Sequence, residues 1–297
     1  MARVAFLTDS QHTELTADDR LLRSALEQRG ATVQPVVWSR PPASWREFDA
    51  ALIRSTWDYH HHLEPFLEAL ERIEAAGVRL FNPAPVVRWN AGKRYLLQLA
   101  VSGVPIPATA LVRRGERAEL APLLRANGWA RAVMKPAISA SAHETWVVEP
   151  ETVLARQWDL ERLALVGDVL VQEFRPEVAR PGEWSLVFVQ GILSHALLKT
   201  ARPGDFRVQE EHGGRIEART PDAALAAGAG RALTAAARRL ELAEPPLYAR
   251  VDGVVAGDRF LLMELELIEP ALYFSLAPGS EARLAEALLW RLRAPAP

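Results

Sequence analysis

The stretch LYARVDGVV-AGD-RFLLMELEL (247–267) decides how the C-terminal part of this chain folds. Two apolar runs flank a short turn, a pattern that predicts an antiparallel β-hairpin. Side chains along a strand alternate between two faces, so the second run should have one apolar and one acidic face. The predicted apolar face carries Leu261, Met263, Leu265 and Leu267.

The other face of this hairpin is predicted to gather three carboxylates. Glu264 and Glu266 share it, and folding the hairpin at 256–258 brings Asp252 nearly opposite Glu264. Like charges repel unless a cation neutralises them, and oxygen ligands suit Mg²⁺. The alternative is a solvated polar face of an antiparallel sheet. The hairpin therefore predicts a magnesium site formed by Asp252, Glu264 and Glu266.

The basic residues extend this hypothesis. Only three of the 35 basic residues are lysines, namely Lys93, Lys135 and Lys199. In so Arg-rich a chain, the remaining lysines are candidates for positions that need a compact ammonium; residual drift is the alternative. Arg250 lies two residues before Asp252, on the same face. Lysines, arginines and a carboxylate–magnesium site together are what a nucleoside triphosphate requires.

Upstream of the hairpin, the chain begins with a predicted α/β layer. Strand patterns at 2–9, 32–38 and 48–55 are interspersed with helical patterns at 15–29 and 63–77. This order implies a mostly parallel sheet over roughly the first 85 residues. Pro35 places the second strand towards an edge of that sheet, because proline donates no ladder hydrogen bond.

The remaining elements predict antiparallel structure. Helical patterns occupy 93–101, 118–127, 151–165, 222–242 and 279–293, and strand patterns occupy 131–136, 145–148, 168–174 and 182–199. The last of these ranges contains Gln190-Gly191, a hairpin turn signal. The whole chain is therefore expected to combine α/β and α+β architecture.

Composition excludes several classes of protein. The 297 residues include no cysteine, which rules out disulfides, thiolate catalysis and Cys-ligated metal sites. The net charge of −2, without a basic block, argues against nucleic-acid and membrane partners. No run of 18 apolar residues occurs, so we expect a cytoplasmic protein. The adjacent His60, His61 and His62 point about 100° apart on a helix, which favours a solvated helix start over a metal cluster.

The order of these residues resembles the ATP-grasp superfamily, in the branch of glutathione synthetases and ribosomal-protein glutamate ligases. The resemblance runs from about Asn82 to Pro270. The pieces closest to the ATP-grasp ligases that close the cycloserine ring are RSTWDY (54–59), NP–WN–K–YL (82–96), GEWSLVF (182–188), GDFRVQEEHGG (204–214) and MELELIEP (263–270). The resemblance implies an N-terminal α/β domain (1–88), a central lid domain (89–171) and a C-terminal antiparallel-sheet domain (172–297).

The resemblance also implies roles for single residues. Arg207 and Arg250 match catalytic residues near the transferred phosphate, and the three hairpin carboxylates match the metal ligands. Nucleotide binding is expected from Lys93, Lys135, Gln172, Glu173, Phe174, Glu183 and Lys199, although Lys199 has no firm family role. The segment 172–174 matches the family's hinge strand, which holds adenine largely through backbone hydrogen bonds. Two departures stand out. The third metal position is usually Asn rather than Glu266, and the phosphate loop at 136–145 lacks glycine, so Ser139, Ser141 or His143 are alternatives there.

The implied activity is that of an ADP-forming carboxylate–amine ligase that uses ATP and Mg²⁺ and works through an acyl phosphate. Its partners would be a small-molecule carboxylate and an amine. One alternative is an intramolecular, ring-closing ligase of the cycloserine type. Another is an ATP- and magnesium-binding regulatory protein without turnover. The oligomeric state, including a homodimer, stays open.

The segment after the third predicted strand is a candidate substrate site. The candidates are a guanidinium for a carboxylate, two hydroxyls, an aromatic wall and a carboxylate for an amine, supplied by Arg54, Ser55, Thr56, Trp57 and Asp58. Ligands of open α/β sheets bind beyond the carboxyl ends of strands, and this inventory suits an amino-acid-like molecule. The alternative is a structural strand-to-helix turn with Ser55 or Asp58 as N-cap and Trp57 packed beneath.

Overall fold

The computed structural model describes residues 1–139, 143–202, 208 and 213–294, and it begins with a four-stranded parallel sheet. Its elements are β1 (Arg3–Thr8), α1 (Ala17–Glu27), β2 (Thr32–Val37), β3 (Ala50–Ser55), α2 (Leu63–Ala75) and β4 (Arg79–Phe81). The strand order is β2-β1-β3-β4. The edge position of β2, predicted from Pro35, is confirmed. The sequence pattern missed β4 because three residues are too few to show a period.

A second, antiparallel sheet has the order β5-β8-β6-β7. The elements of this region are α3 (Ala84–Asn90), α4 (Tyr95–Val101), β5 (Thr109–Val112), α5 (Leu120–Asn127), β6 (Ala132–Pro136), β7 (Trp146–Val148), α6 (Val153–Val166) and β8 (Val169–Glu173). Helices α5 and α6 pack on one face of this sheet and bury Leu124 and Leu163 against Val171. The predicted domain boundary after residue 171 falls inside β8.

The third sheet is antiparallel, with the order β11-β10-β9-β12-β13. Its region comprises β9 (Glu183–Val189), β10 (Ile192–Thr200), β11 (Arg215–Ala218), α7 (Ala223–Arg239), β12 (Tyr248–Ala256), β13 (Arg259–Glu266) and α8 (Ser280–Arg293). Gln190 and Gly191 both have positive φ, as a two-residue type I′ hairpin requires.

Alternate side chains of β9 join two different cores. Leu186 and Phe188 pack with the small residues of α7. Val187 and Val189 pack on the other face with α1, α8 and β1. The third sheet is therefore covered on both sides, and the parallel sheet is tied to it through the second of these cores. Within the described ranges, no helix combines the length and apolarity needed to cross a membrane.

A β-bulge in β13 corrects one prediction. Asp252 pairs with Glu264, as expected, but Gly253 pairs with Leu262, so Met263 is an extra residue. The buried face of this strand consists of Phe260, Leu262, Leu265 and Leu267. The prediction that Leu261 and Met263 share that face is wrong, because the extra residue reverses the alternation.

Gly253 makes room for the bulge. A Cβ at this position would lie 2.4 Å from the Phe260 ring and 2.5 Å from the Leu261 carbonyl oxygen. Only glycine fits such a close approach. The bulge therefore depends on one glycine, and it turns Met263 towards the same side as Glu264 and Glu266.

Candidate active site

A cavity of about 470 Å³ collects most of the residues that the sequence singled out. Those that line it are Trp57, Lys93, Lys135, Gln172, Glu173, Phe174, Glu183, Lys199, Arg250, Asp252, Glu264 and Glu266. Arg207 and Ser141 lie outside the described residues. Arg54, Ser55, Thr56 and Asp58 do not line the cavity. Its wall is formed by the loop after β3, the segment before α4 and strands of the second and third sheets.

The acidic strand β13 is held in place along its outer edge. Asn90 donates to the Leu265 carbonyl and accepts from the Leu267 N–H, both at 2.8 Å. Tyr95 Oη accepts from the Leu265 N–H at 2.9 Å. Unpaired edge strands are otherwise free to pair with other chains. The 82–96 motif thus satisfies the backbone of β13 and keeps its alternate side chains directed at the cavity.

Asp252 is the most heavily bonded of the three hairpin carboxylates. Arg250 contacts both of its oxygens at 3.0–3.1 Å, Ser185 donates to it at 2.6 Å, and Lys199 Nζ lies 3.4 Å away. Burial alone would raise the pKa of Asp252, but Arg250 and Lys199 lower it to about 2. Asp252 is therefore ionised at neutral pH and anchors both basic groups.

The two glutamates of β13 lie in different electrostatic surroundings. Glu264 is 3.1 Å from Lys93 Nζ; burial opposes ionisation, yet Lys93 and Lys135 lower its pKa. Glu266 contacts the Arg250 guanidinium, but burial raises the pKa of Glu266 to about 7. Burial also raises the pKa of Glu183 to about 7, with Lys199 Nζ 4.0 Å away. Glu183 and Glu266 can therefore change charge near neutral pH.

The donor chemistry of the hairpin fits magnesium, but the carboxylates do not form a closed cage. No three acidic or histidine side chains in the described part of the chain converge closely enough to hold an ion by themselves. Each hairpin carboxylate instead faces a basic group. Magnesium commonly takes one or two carboxylates and completes its shell with water and phosphate oxygens. The arrangement fits that open type of site.

All three lysines of the chain lie at the cavity. Lys93 Nζ donates to the Ser139 carbonyl at 2.8 Å, at the start of the small-residue loop. Lys135 Nζ is 3.4 Å from Gln172 Oε1, and burial lowers the pKa of Lys135. Lys199 Nζ lies between Asp252 and the Tyr273 ring, 5.6 Å from the ring centroid. The lysines are thus gathered where a polyanion would be neutralised.

The predicted adenine segment forms the end of β8. Gln172 is buried and its amide donates to Thr109 at 3.0 Å. The N–H groups of Glu173 and Phe174 donate to the carbonyls of Ala108 and Arg131. These two N–H groups are therefore not free for adenine, which differs from the expectation of recognition mainly through backbone bonds. The Phe174 ring instead stacks on the Arg131 guanidinium, 4.0 Å away.

Arg54 and Ser55 hold the first sheet together rather than facing the cavity. Arg54 is 3% exposed and its Nε donates to Asp19 at 2.8 Å. Ser55 donates to the other oxygen of Asp19 at 2.5 Å. Arg54 also reaches the Pro270 carbonyl at 3.2 Å. The guanidinium predicted for a substrate carboxylate is committed to a buried carboxylate on α1.

Of the other three residues of this segment, only Trp57 lines the cavity. Asp58 accepts a hydrogen bond from Trp38 Nε1 at 2.7 Å, and Thr56 is fully buried with no partner for its hydroxyl in the described structure. Neither Ser55 nor Asp58 makes an N-cap hydrogen bond. Trp57 alone lines the cavity, and it is 38% exposed rather than packed beneath the turn.

Sequence reasoning did not single out several cavity residues, among them Tyr59, Glu269 and Tyr273. Tyr59 and Glu269 stand within RSTWDY and MELELIEP, so the quoted motifs already contained them. Tyr273 has a positive φ of 53° and lies beside both Lys199 and Arg250, with Arg250 Cζ 5.7 Å from its ring centroid. No sequence pattern marked Tyr273, because its neighbours come from β10 and β12.

Known proteins share this architecture over the whole chain. Residues 4–82 match the family model for the N-terminal domain of the D-cycloserine synthetase DcsG. The chain is 32% identical to the cycloserine biosynthesis protein DcsG of Streptomyces lavendulae, covering 99% of this chain and 100% of that protein. It is 30% identical to the crystal structure of D-cycloserine synthetase DcsG, with a TM-score of 0.89 over 98% of this chain and 100% of that one.

A more distant structure shows the same fold with a nucleotide and a metal. It is the ATP-grasp ligase PsnB complexed with minimal precursor, Mg and ADP, with 16% identity, a TM-score of 0.66 and coverage of 98% of both chains. The fold is that of an ATP-grasp protein. Within that class, full-length similarity at 32% identity shows that the chain belongs to the DcsG family.

Proposed function

We propose that this ligase forms ADP and phosphate while joining a carboxylate to an amine, through an acyl phosphate. The observation that carries the proposal is the single cavity joining three lysines and the end of β8 to the acidic hairpin and the loop after β3. Such a cavity provides cations for a triphosphate at one end and room for a small molecule at the other.

The lysines would bind the nucleotide phosphates, and the hairpin carboxylates would bind the metal ion. Lys93, Lys135 and Lys199 would neutralise phosphate oxygens, and the segment 172–174 would border the base. Asp252, Glu264 and Glu266 would hold Mg²⁺, which supplies Lewis-acid neutralisation of phosphate charge when bound. Glu183 begins β9 where Gly182 allows close approach, since a Cβ on Gly182 would lie 2.5 Å from the Lys199 carbonyl.

The chemistry then needs two charge-stabilising steps. The substrate carboxylate attacks the γ-phosphate of ATP, releasing ADP and leaving an acyl phosphate. The amine attacks the acyl carbon, and phosphate leaves as the C–N bond forms. Arg250 would stabilise the negative charge in both steps, and its guanidinium lies in the cavity wall between Asp252 and Glu266. Arg207 is proposed beside it. Exclusion of water would protect the acyl phosphate from hydrolysis.

The ring-closing version is favoured by one finding, the full-length similarity to a protein called D-cycloserine synthetase. In that version one molecule supplies both the carboxylate and the amine. The attack is then intramolecular, which removes the entropic cost of bringing two substrates together. The substrate would still be an amino-acid-like small molecule.

A phosphate-release screen tests the proposal. Amino acids and dipeptides are supplied singly and in pairs with ATP and Mg²⁺, and nucleotide products are separated by chromatography. We expect ADP and phosphate; turnover with one compound alone would indicate the ring-closing version. AMP and pyrophosphate would refute the acyl-phosphate route. A chain that binds ATP but gives no turnover with any substrate would instead behave as a regulatory protein.

A further inference from the structure

One carboxylate of the cavity has no task in the steps above. Glu269 lies three residues beyond the acidic face of β13 and lines the cavity. Across the described residues its carboxylate forms no ion pair, whereas Asp252, Glu264 and Glu266 each face a basic group. Lys93 acts on it only at longer range. A carboxylate removed from water without a cation is costly to a fold. An unpaired carboxylate in a cavity wall therefore calls for a cationic ligand.

The wall beside Glu269 is aromatic and fixed in orientation. Trp57 Nε1 donates to the Glu269 carbonyl oxygen at 3.4 Å. The indole also meets the His12 ring edge to face, at 4.7 Å between centroids, and His12 is bonded to Asp9 at 2.7 Å. These contacts hold a partly exposed tryptophan beside the backbone of Glu269. Tyr59 contributes a second aromatic side chain to the same cavity.

We propose that Glu269, Trp57 and Tyr59 form a subsite for the ammonium group of an amino-acid substrate. A carboxylate gives an ammonium a charge-assisted hydrogen bond, and aromatic faces attract the same cation. Asp58, the carboxylate that the sequence offered for this purpose, is instead occupied by Trp38. The inference rests on the proposed function, because it takes the carboxylate of the same molecule to lie on the side of Arg250 and the lysines.

The distribution of charged side chains in the cavity agrees with this orientation of a bound amino acid. Lys93, Lys135, Lys199 and Arg250 lie around the hairpin carboxylates and β8. Glu269 lies next to the loop after β3, and among these cations Lys93 acts on it electrostatically. Burial, and then Glu266, raise the pKa of Glu269 to about 8. A bound ammonium would favour the ionised form of Glu269, so an amino acid fits with its carboxylate towards the cations and its ammonium towards Glu269.

The test compares two probes that differ in one group, alanine and lactate of the same chirality. Ligand-observed NMR titrations measure their affinities for the full chain with Mg²⁺ and a non-hydrolysable ATP analogue. We expect alanine of one chirality to bind at least tenfold more tightly than lactate. Glu269→Gln should reduce this preference to less than threefold. Asp258→Asn removes an exposed carboxylate from the β12–β13 turn and should leave the preference unchanged.

Three results would overturn the subsite: equal binding of alanine and lactate by the native chain, binding of neither, or an intact preference in Glu269→Gln. Trp57→Leu keeps the carboxylate and should weaken alanine binding about two- to fivefold, as expected for loss of a cation–π contact. It serves as the second variant if Glu269→Gln does not fold, and unchanged alanine binding would then count against the subsite.

The binding test is separate from the test of the proposed function. A native chain that prefers alanine but forms no ADP with any amino acid would contradict the ligase reaction and keep the subsite. A native chain that forms ADP and phosphate, but binds alanine and lactate equally, would keep the reaction and remove the subsite. Affinity for the ATP analogue should be the same in native protein and Glu269→Gln.

Discussion

Replacing Asp19 by alanine should destabilise the protein because it leaves Arg54 charged, buried and without its carboxylate. Arg54 and Asp19 are 3% and 2% exposed, and Arg54 Nε lies 2.8 Å from Asp19 Oδ1. Removing one partner of such a buried pair costs about 3–5 kcal/mol. Unfolding entropy is about 2.1 cal/mol/K per residue, so a loss of 1 kcal/mol lowers the Tm of a 297-residue chain by about 1.6 °C and the Tm should fall by about 5–8 °C.

The measurement is thermal unfolding followed by far-ultraviolet circular dichroism at pH 7. Glu27→Ala is the matched control on the same helix, since it breaks the exposed Arg23–Glu27 pair, worth about 0.3–0.5 kcal/mol. The double variant Asp19→Leu/Arg54→Met should recover most of the lost stability, because an apolar pair often replaces a buried ion pair without loss. Arg54→Met alone should lower Tm and leave the substrate KM of folded protein unchanged.

The effect should also depend on pH. Burial raises the pKa of Asp19, but Arg54 and the Ser55 hydroxyl outweigh burial and lower it below 3.8. A lowered carboxyl pKa stabilises the fold above the unfolded pKa and loses that contribution as pH falls through the folded one. The Tm gap between native protein and Asp19→Ala should therefore shrink from pH 7 to pH 3. A native Tm in Arg54→Met, with a raised substrate KM, would refute the structural role.

The remaining predictions concern the cavity. Lys93→Arg or Lys135→Arg should weaken ATP binding or turnover at least tenfold, about 1.4 kcal/mol, because a planar guanidinium replaces a compact ammonium. Native kinetics in both variants would contradict this role of the lysines. Glu264→Gln should abolish turnover in a folded protein and Glu266→Gln should be milder, so equal inactivation in steady-state assays would reject the ranking. Alanine affinity should rise from pH 6 to 8 as Glu269 loses its proton; the charged groups that act on Glu269 are Glu264, Glu266 and Lys93. NMR titrations should show no such rise in Glu269→Gln. A rise in that variant would show that another group titrates.

The hairpin shows what strand periodicity can and cannot predict. The pairing of Asp252 with Glu264 follows from the turn position, and the structure confirms it. The bulge at Met263 does not follow, because every residue from 260 to 263 is apolar and a slip of one position leaves the pattern unchanged. Gly253 was the available signal, since glycine inside a strand often marks a bulge or close contact.

Counting charged residues pointed to site residues only where the chain contains few residues of that type. Three lysines in 297 residues made each one conspicuous, and all three line the cavity. Arg54 was one of 32 arginines, and its partner Asp19 is 35 residues away on another element. A polar segment at the end of a strand has the same composition whether it binds a ligand or an adjacent helix. Only the three-dimensional contact distinguishes the two roles.

The cavity also explains why one set of residues can suit both a nucleotide and a metal. Lys93 neutralises Glu264, while Arg250 neutralises Asp252 and Glu266. A phosphate group that draws Lys93 away leaves Glu264 partly buried without a cation, at a cost that a divalent ion can offset. Glu264 would hold that ion, which would neutralise the charge of both the carboxylate and the phosphate. Under the proposed function, nucleotide and magnesium therefore bind cooperatively because each removes the electrostatic cost that the other creates.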